Sequence, residues 1–176
     1  MKIITLSGKA GHGKDLSAQI LKEKLENNDN KVLILHYADL LKFYCKAYFG
    51  WDGVKDEKGR SILQWMGTEK VRAKDENFWV DSVIRLINVF EDDYDYFIIA
   101  DCRFPSEINR LIECNFDVLT IKLDRINYKN NLTDEQRLHP SETALNNFEF
   151  DLELYIEEGI DKLIESMDEV VEVYLS

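Results

Sequence analysis

Short apolar runs alternate with longer stretches whose apolar positions recur every three or four residues, and this alternation fills the chain. "KIITLS" (Lys2–Ser7) is short, apolar and β-branched, the pattern of a buried strand. From Lys14, Leu16, Ile20, Leu21 and Leu25 follow a helical period that "NNDN" ends. "KVLILHY" (31–37) predicts a second strand, "ADLLKFYCKAYFG" (38–50) a helix closed by Gly50, and "WDGVKDEKG" (51–59) a loop. Ser61–Lys74 and Asp75–Phe90 predict two helices, with Trp65, Met66, Val80, Val83, Ile84 and Ile87 on apolar stripes. "YFIIAD" (Tyr96–Asp101) predicts a third strand, and Pro105 fits the first turn of a helix that turns Ile108, Leu111 and Ile112 inward. "FDVLTIKL" (116–123) predicts a fourth strand. Arg125–Pro140 is polar without an apolar period, the pattern of a loop or lid. "SETALNNF" (141–148) predicts a short helix and "LELYI" (152–156) a fifth strand, before a helix from Gly159 to about Tyr174. Strands alternating with helices predict an α/β fold: a five-stranded parallel sheet with helices on both faces.

Composition narrows this picture. The 176 residues fit a single domain, and 45% hydrophobic residues suffice for a full core. The formal net charge of -12 disfavours nonspecific binding to a nucleic-acid backbone, which rewards a basic face. It leaves room for a small anion, which a local cluster of cations and backbone N–H groups can hold. Cys45, Cys102 and Cys114 are odd in number and form no Cys-x-x-Cys, so they read as buried thiols, and the three histidines form no metal-ligand pattern. No stretch approaches the ~18 apolar residues of a membrane span. Ile3–Leu6 is too short for a signal peptide, so a cytoplasmic protein is expected.

The chemistry is concentrated first in "SGKAGHGKD" (7–15), where Gly8-x-x-x-x-Gly13-Lys14 lies between a predicted strand and a predicted helix. Glycines let backbone N–H groups converge on phosphate oxygens, the helix start adds positive dipole charge, and Lys14 can reach the outer phosphates. Gly8, Lys9, Ala10, Gly11, His12, Gly13, Lys14, Asp15 and Leu16 thus form a candidate ATP-phosphate site, with Lys14 expected to face solvent until a nucleotide arrives. Such loops usually end in Lys-Ser or Lys-Thr, whereas this one ends in Lys14-Asp15. A carboxylate at that position can serve Mg²⁺ directly or through water, or cap the helix. "YFIIAD" ends in Asp101 at the strand edge that parallel topology places beside the loop, and Arg103 follows two residues later.

Five segments together give the chain a resemblance to the phage-type deoxynucleoside monophosphate kinases, and more distantly to animal-type phosphomevalonate kinases. They are "SGKAGHGKD", "YADLLK" (37–42) with the later "YFG", "LQWMGTEKVRAKDENFWV" (63–80), "ADCRFPSE" (100–107) and "HPSETALNNFEFD" (139–151). The Lys-Asp ending is itself a feature of that family. The resemblance implies a single P-loop kinase domain over 1–176, with an acceptor-binding helical region at about 38–90 and a lid at 124–141. It implies that Lys14 and the loop amides hold ATP and that Asp15 and Asp101 serve Mg²⁺. Asp39 and Lys42 would open the acceptor-side helix. Gln64, Arg72 and Trp79 would shape the monophosphate pocket, where Arg103 also reaches. Arg103, Arg125 and Arg137 would neutralise the transferring phosphoryl group, with Glu107 and Glu142 positioning them. Trp65 is read as core, Trp79 as core or as a stacking face, and His139 as structural; Arg125 and Arg137 also fit solvated lid charges.

There are departures. Leu40 stands where the family has proline, "YIEEG" places Glu157 where relatives carry asparagine near the adenine, and the lid is poor in arginine. The expected activity is transfer of the γ-phosphate of MgATP to a deoxynucleoside monophosphate. The expected partners are small nucleotides, without nucleic acid or membrane, and a homodimer stays open. The rivals are a kinase for another phosphorylated acceptor such as phosphomevalonate, a nucleotide switch, and a binding module without catalysis. Asn30-Lys31 is followed by Val32-Leu33, which is not the Asn-Lys-x-Asp guanine signature, and intact Lys14, Asp101 and Arg103 favour an enzyme.

Overall fold

A computed structural model describes residues 1–175. Its centre is a five-stranded sheet in the order β2-β3-β1-β4-β5, with every pair parallel. The strands are β1 (Lys2–Ser7), β2 (Val32–Leu35), β3 (Tyr96–Cys102), β4 (Val118–Arg125) and β5 (Leu152–Ile156). Alternation along each strand divides the core in two. Ile4, Leu6, Ile98, Ala100 and Ile121 face α1 (Lys14–Glu26) and α8 (Ile160–Tyr174), which bury Ala18, Leu21 and Leu25 and Leu163, Met167 and Val170. Ile3, Phe97, Ile99 and Cys102 face the opposite layer, formed by α2 (Ala38–Tyr48), α4 (Phe78–Phe90) and α5 (Pro105–Glu113). Each fully buried aliphatic side chain contributes roughly 1.5–3 kcal/mol. The α/β expectation therefore holds.

One irregularity positions chemistry. Thr5 of β1 pairs with Ile99 but Ser7 pairs with Cys102, so β3 carries one extra residue at its end. The bulge returns Cys102 to the face of Ile99, and Asp101, just before it, accepts the backbone N–H groups of Tyr37 and Ala38 beyond β2.

Three local expectations are corrected. The predicted helix Ser61–Lys74 begins earlier, as α3 (Glu57–Gln64), because Asp56 accepts the Gly59 N–H at 2.7 Å and caps it. It then widens into a π-helical segment, Trp65–Arg72. The expected lid loop contains α6 (Asp134–Leu138), begun by a capping box in which Thr133 and Gln136 bond each other's backbone N–H groups at 3.2 and 3.3 Å. The helix expected over 141–148 is only α7 (Pro140–Thr143), after which Asn146 and Phe148 bond three residues back.

Candidate active site

The C-terminal edge of the sheet opens into a cleft of about 510 Å³, within the usual ~300–1,000 Å³ of small-molecule sites. Ala10, Gly11, Gly13, Lys14, Asp15 and Leu16 line one end. The other walls bring in His36, Lys42, Lys55, Arg60, Thr68, Arg72 and Trp79, with Asp101, Arg103 and Glu107 between.

The candidate phosphate loop turns on its glycines. Gly8, Gly11 and Gly13 have φ of +143°, +83° and +87°. A side chain on Gly8 would meet the Leu123 carbonyl at 2.5 Å, and one on Gly11 would collide with the Tyr128 ring. Lys14 does not face solvent as the sequence suggests. It is 7% exposed and its ammonium donates to Gly8 O at 2.6 Å and Lys9 O at 2.9 Å. Burial, and then the neighbouring Arg103 charge, push its pKa down to about 7. The Ala10 N–H donates to Glu142 Oε2 at 3.0 Å, while Glu142 Oε1 accepts from Arg103 at 2.7 Å. A carboxylate thus rests against the loop and the first cation beside it.

Asp101 accepts the Tyr37 and Ala38 N–H groups at 2.8 and 3.0 Å, one on each oxygen. It supplies the cap that the start of α2 lacks from its own sequence. Asp15 is 82% exposed at the mouth, with His36 Nε2 at 3.2 Å; the second His36 nitrogen lies 3.5 Å from Asp39, which Lys42 meets at 2.8 Å.

Glu107 is buried and accepts the Arg103 and Phe104 N–H groups at 2.6 and 3.0 Å on one oxygen and Arg72 at 2.6 Å on the other. Burial raises its pKa, and Arg72 opposes the shift. Arg72 is stacked on Phe104 at 3.9 Å and donates to Glu76 O at 3.1 Å, yet its buried Nε–H has no partner. Glu107 thus holds the Arg72 guanidinium and the Arg103 backbone N–H, whereas the Arg103 side chain is held by Glu142. Trp79 is 2% exposed, donates from Nε1 to Gly67 O at 3.0 Å, and forms a cleft wall. Trp65 is corrected from core to surface: it is 37% exposed, edge-on to Phe49 and under Lys70.

Several expected site residues lie elsewhere. Gln64, at the end of α3, and Asp39 do not line this cleft. Arg125 and Arg137 line a second cavity of about 590 Å³ between the loop and the lid, with Lys9 and His12. There Arg125 stacks on Tyr128 at 4.2 Å and donates to Gly11 O at 3.3 Å, while Arg137 donates to Asp134 at 2.6 Å. His12 Nδ1 accepts the Arg125 N–H at 3.1 Å, and burial lowers its pKa, in keeping with a neutral ring. His139 accepts the Ser141 N–H at 3.1 Å and caps α7. Lys55, Arg60, Thr68 and His36 were not singled out by sequence. Only the Asp56 cap hinted that the stretch before Arg60 was more than loop.

No protein-family model matches the chain, and no curated protein does. Solved structures do. An APS kinase of Mycobacterium tuberculosis, as a cysteine-to-alanine variant, is 14% identical with a TM-score of 0.52, over 99% of this chain and 97% of that one. The same enzyme in complex with AMPPNP and APS is 13% identical with a TM-score of 0.52, over 99% and 98%. A sugar kinase from Janibacter sp. HTCC2649 is 13% identical with a TM-score of 0.54, over 99% and 96%. The chain has the fold of these P-loop kinases along nearly its whole length.

Proposed function

We propose that the protein is an ATP-dependent phosphotransferase that moves the γ-phosphate of MgATP to the 5′-phosphate of a deoxynucleoside monophosphate, giving ADP and the diphosphate. The observation that carries this reading is the single cleft with two cationic ends: Lys14 and the loop at one, Lys42, Lys55, Arg60 and Arg72 at the other, with Arg103 between. Two anions meeting in line need that arrangement.

The acceptor phosphate is already ionised, so the chain need not supply a general base. Its tasks are alignment and charge. Lys14 and the loop amides hold the donor's phosphates, and Arg103, released from Glu142, neutralises the group in transit. Arg125 and Arg137 exchange their present lid contacts for phosphate oxygens as the lid closes over 124–141 and excludes water. Asp15 and Asp101 are oxygen donors of the kind Mg²⁺ favours. Asp15, exposed beside Lys14 with His36 Nε2 at 3.2 Å, would hold it by exchanging that contact, and Asp101, with both oxygens on amides, suits a water-mediated role. When bound, the ion would supply positive charge to the donor's phosphates. Trp79 and Arg72 form the acceptor wall; Asp39 and Gln64 support it through Lys42 and the π segment.

The test is a coupled ADP-release assay across the common ribo- and deoxynucleoside monophosphates, with phosphomevalonate included. Turnover with a deoxynucleoside monophosphate is expected. Turnover with phosphomevalonate alone would replace the acceptor assignment, and absence of any acceptor-dependent ADP release would remove the reading.

A further inference from the structure

The cavity between the phosphate loop and the lid shares no lining residue with the cleft. The loop is the wall between them: Ala10, Gly11 and Gly13 line the cleft, whereas Lys9 and His12 line this cavity. The lid is docked against the loop here. The Tyr128 ring fills the space that a side chain on Gly11 would need. Asn130 donates to Ala10 O at 3.5 Å, and its side-chain carbonyl accepts the Leu132 N–H at 3.4 Å. Leu132 and Gln136 are buried. On this frame stand four cations, Lys9, Arg125, Lys129 and Arg137, against two carboxylates, Asp124 and Glu142. Both Glu142 oxygens are engaged elsewhere, by Ala10 and Arg103. Asp124 lies 3.5 Å from His12, whose pKa is lowered by burial. The Lys9 and Lys129 side chains have no hydrogen-bond or ion-pair partner among the described residues. A chain of net charge -12 thus carries, outside its cleft, a cavity of about 590 Å³ with an excess of positive charge.

We propose that this cavity is a second anion site, on the lid side of the loop, which takes an oligophosphate chain such as that of a nucleoside triphosphate. The cations come from three places: Lys9 from the loop, Arg125 from the end of β4, and Lys129 and Arg137 from the lid. That spread suits a chain of several phosphates better than a single one. The volume is that of a small-molecule site. Because the lid is already anchored, little freedom remains to be lost when the anion arrives, which favours binding. The lysines supply point charges and the arginines planar forks. Tyr128 is 39% exposed, carries Arg125 at 4.2 Å, and offers an aromatic surface to a base. On the kinase reading of the cleft, an occupied cavity keeps Arg125 and Arg137 on the lid and slows transfer. The binding itself does not rest on that reading.

The test is titration calorimetry of the whole chain with inorganic tripolyphosphate and with a 2′-deoxynucleoside 5′-triphosphate. The proteins are wild type, Lys14→Ala, Lys129→Met, Lys129→Arg and the double variant Lys9→Met with Lys129→Met. Wild type is expected to bind tripolyphosphate at two places, and Lys14→Ala to lose the one in the loop and keep the other. Lys129→Met should weaken that other event about tenfold, and the double variant more. Lys129→Arg should recover most of the affinity. Melting temperatures of the lysine variants should stay near wild type, since both side chains are exposed. Tighter binding of the nucleoside triphosphate than of tripolyphosphate to Lys14→Ala assigns a base to the site, and equal affinity assigns the site to the phosphate chain alone. Two events that both survive Lys14→Ala, one of them falling with the lysines, keep the second site and remove the loop reading. A single event that Lys14→Ala abolishes, or a second event unchanged in the double lysine variant, overturns the proposal.

Discussion

The two ends of the cleft handle their charges in opposite ways. At the proposed donor end Lys14 is bonded to the loop's own carbonyls, and Ala10 and Arg103 are both held by Glu142. At the proposed acceptor end Lys55 and Arg60 have no hydrogen-bond or ion-pair partner among the described residues, and Arg72 keeps an unpaired Nε–H while Glu107 holds its fork. The donor end must exchange protein contacts for phosphate contacts. The proposed acceptor end adds contacts at Lys55 and Arg60, while Lys42 and Arg72 already hold Asp39 and Glu107. Donor affinity should therefore respond to proton and carboxylate changes, and acceptor affinity to the simple count of cations.

The largest effect expected is from Lys14→Ala, which should lower turnover about a thousandfold, or ~4 kcal/mol, by removing the charge beside the transferring group. Because this lysine also closes the loop, melting temperature should fall modestly as well. Retention of a tenth of wild-type turnover in steady-state assays would take the loop out of the mechanism.

Next is Arg72→Ala, which strands the buried Glu107 carboxylate and should cost about 3 kcal/mol of stability in denaturant unfolding. Adding Glu107→Gln should return part of that stability. Acceptor KM should rise or kcat fall, while AMPPNP affinity without acceptor barely changes. If AMPPNP affinity alone suffers, the two ends are assigned the wrong way round.

Asp101→Asn should come third. An amide can accept only one of the Tyr37 and Ala38 N–H groups and turns a donor toward the other, at about 2 kcal/mol. Asp15→Ser should change stability by less than about 0.5 kcal/mol, since the carboxylate is exposed. Turnover and Mg²⁺ dependence should follow the same ranking; an equal or reversed order in Mg²⁺ titrations contradicts it.

The smallest effect is a proton. Free Lys14, with a pKa of about 7, is largely neutral at pH 8, and bound phosphates favour its ammonium form. ATP binding at pH 8 should therefore take up roughly one proton, and affinity should decline as pH rises above about 7. Calorimetry in Tris and in HEPES reads this uptake as a buffer-dependent enthalpy. Identical enthalpies corrected for nothing would show that Lys14 is charged before ATP arrives.

Local sequence carried much of this protein. β-Branched runs and helical periods define the strands and most helices, because burial on a sheet face or a helix stripe repeats at a fixed interval. The glycines of the phosphate loop were equally legible, since their positive φ is a property of single residues. The π segment was not, because a wider turn shifts the apolar phase without leaving a period of its own. The α6 capping box was present as Thr133 and Gln136, but lay in a stretch with no apolar repeat. What only the tertiary structure decided is which charges meet. The bulge in β3 aims Asp101 at the amides of α2, Glu142 reaches the loop from 132 residues away, and the Trp51–Gly59 turn and α3 bring Lys55 and Arg60 into the cleft that Lys14 also lines. Such partnerships depend on where separate elements pack, and no local pattern of residues records that.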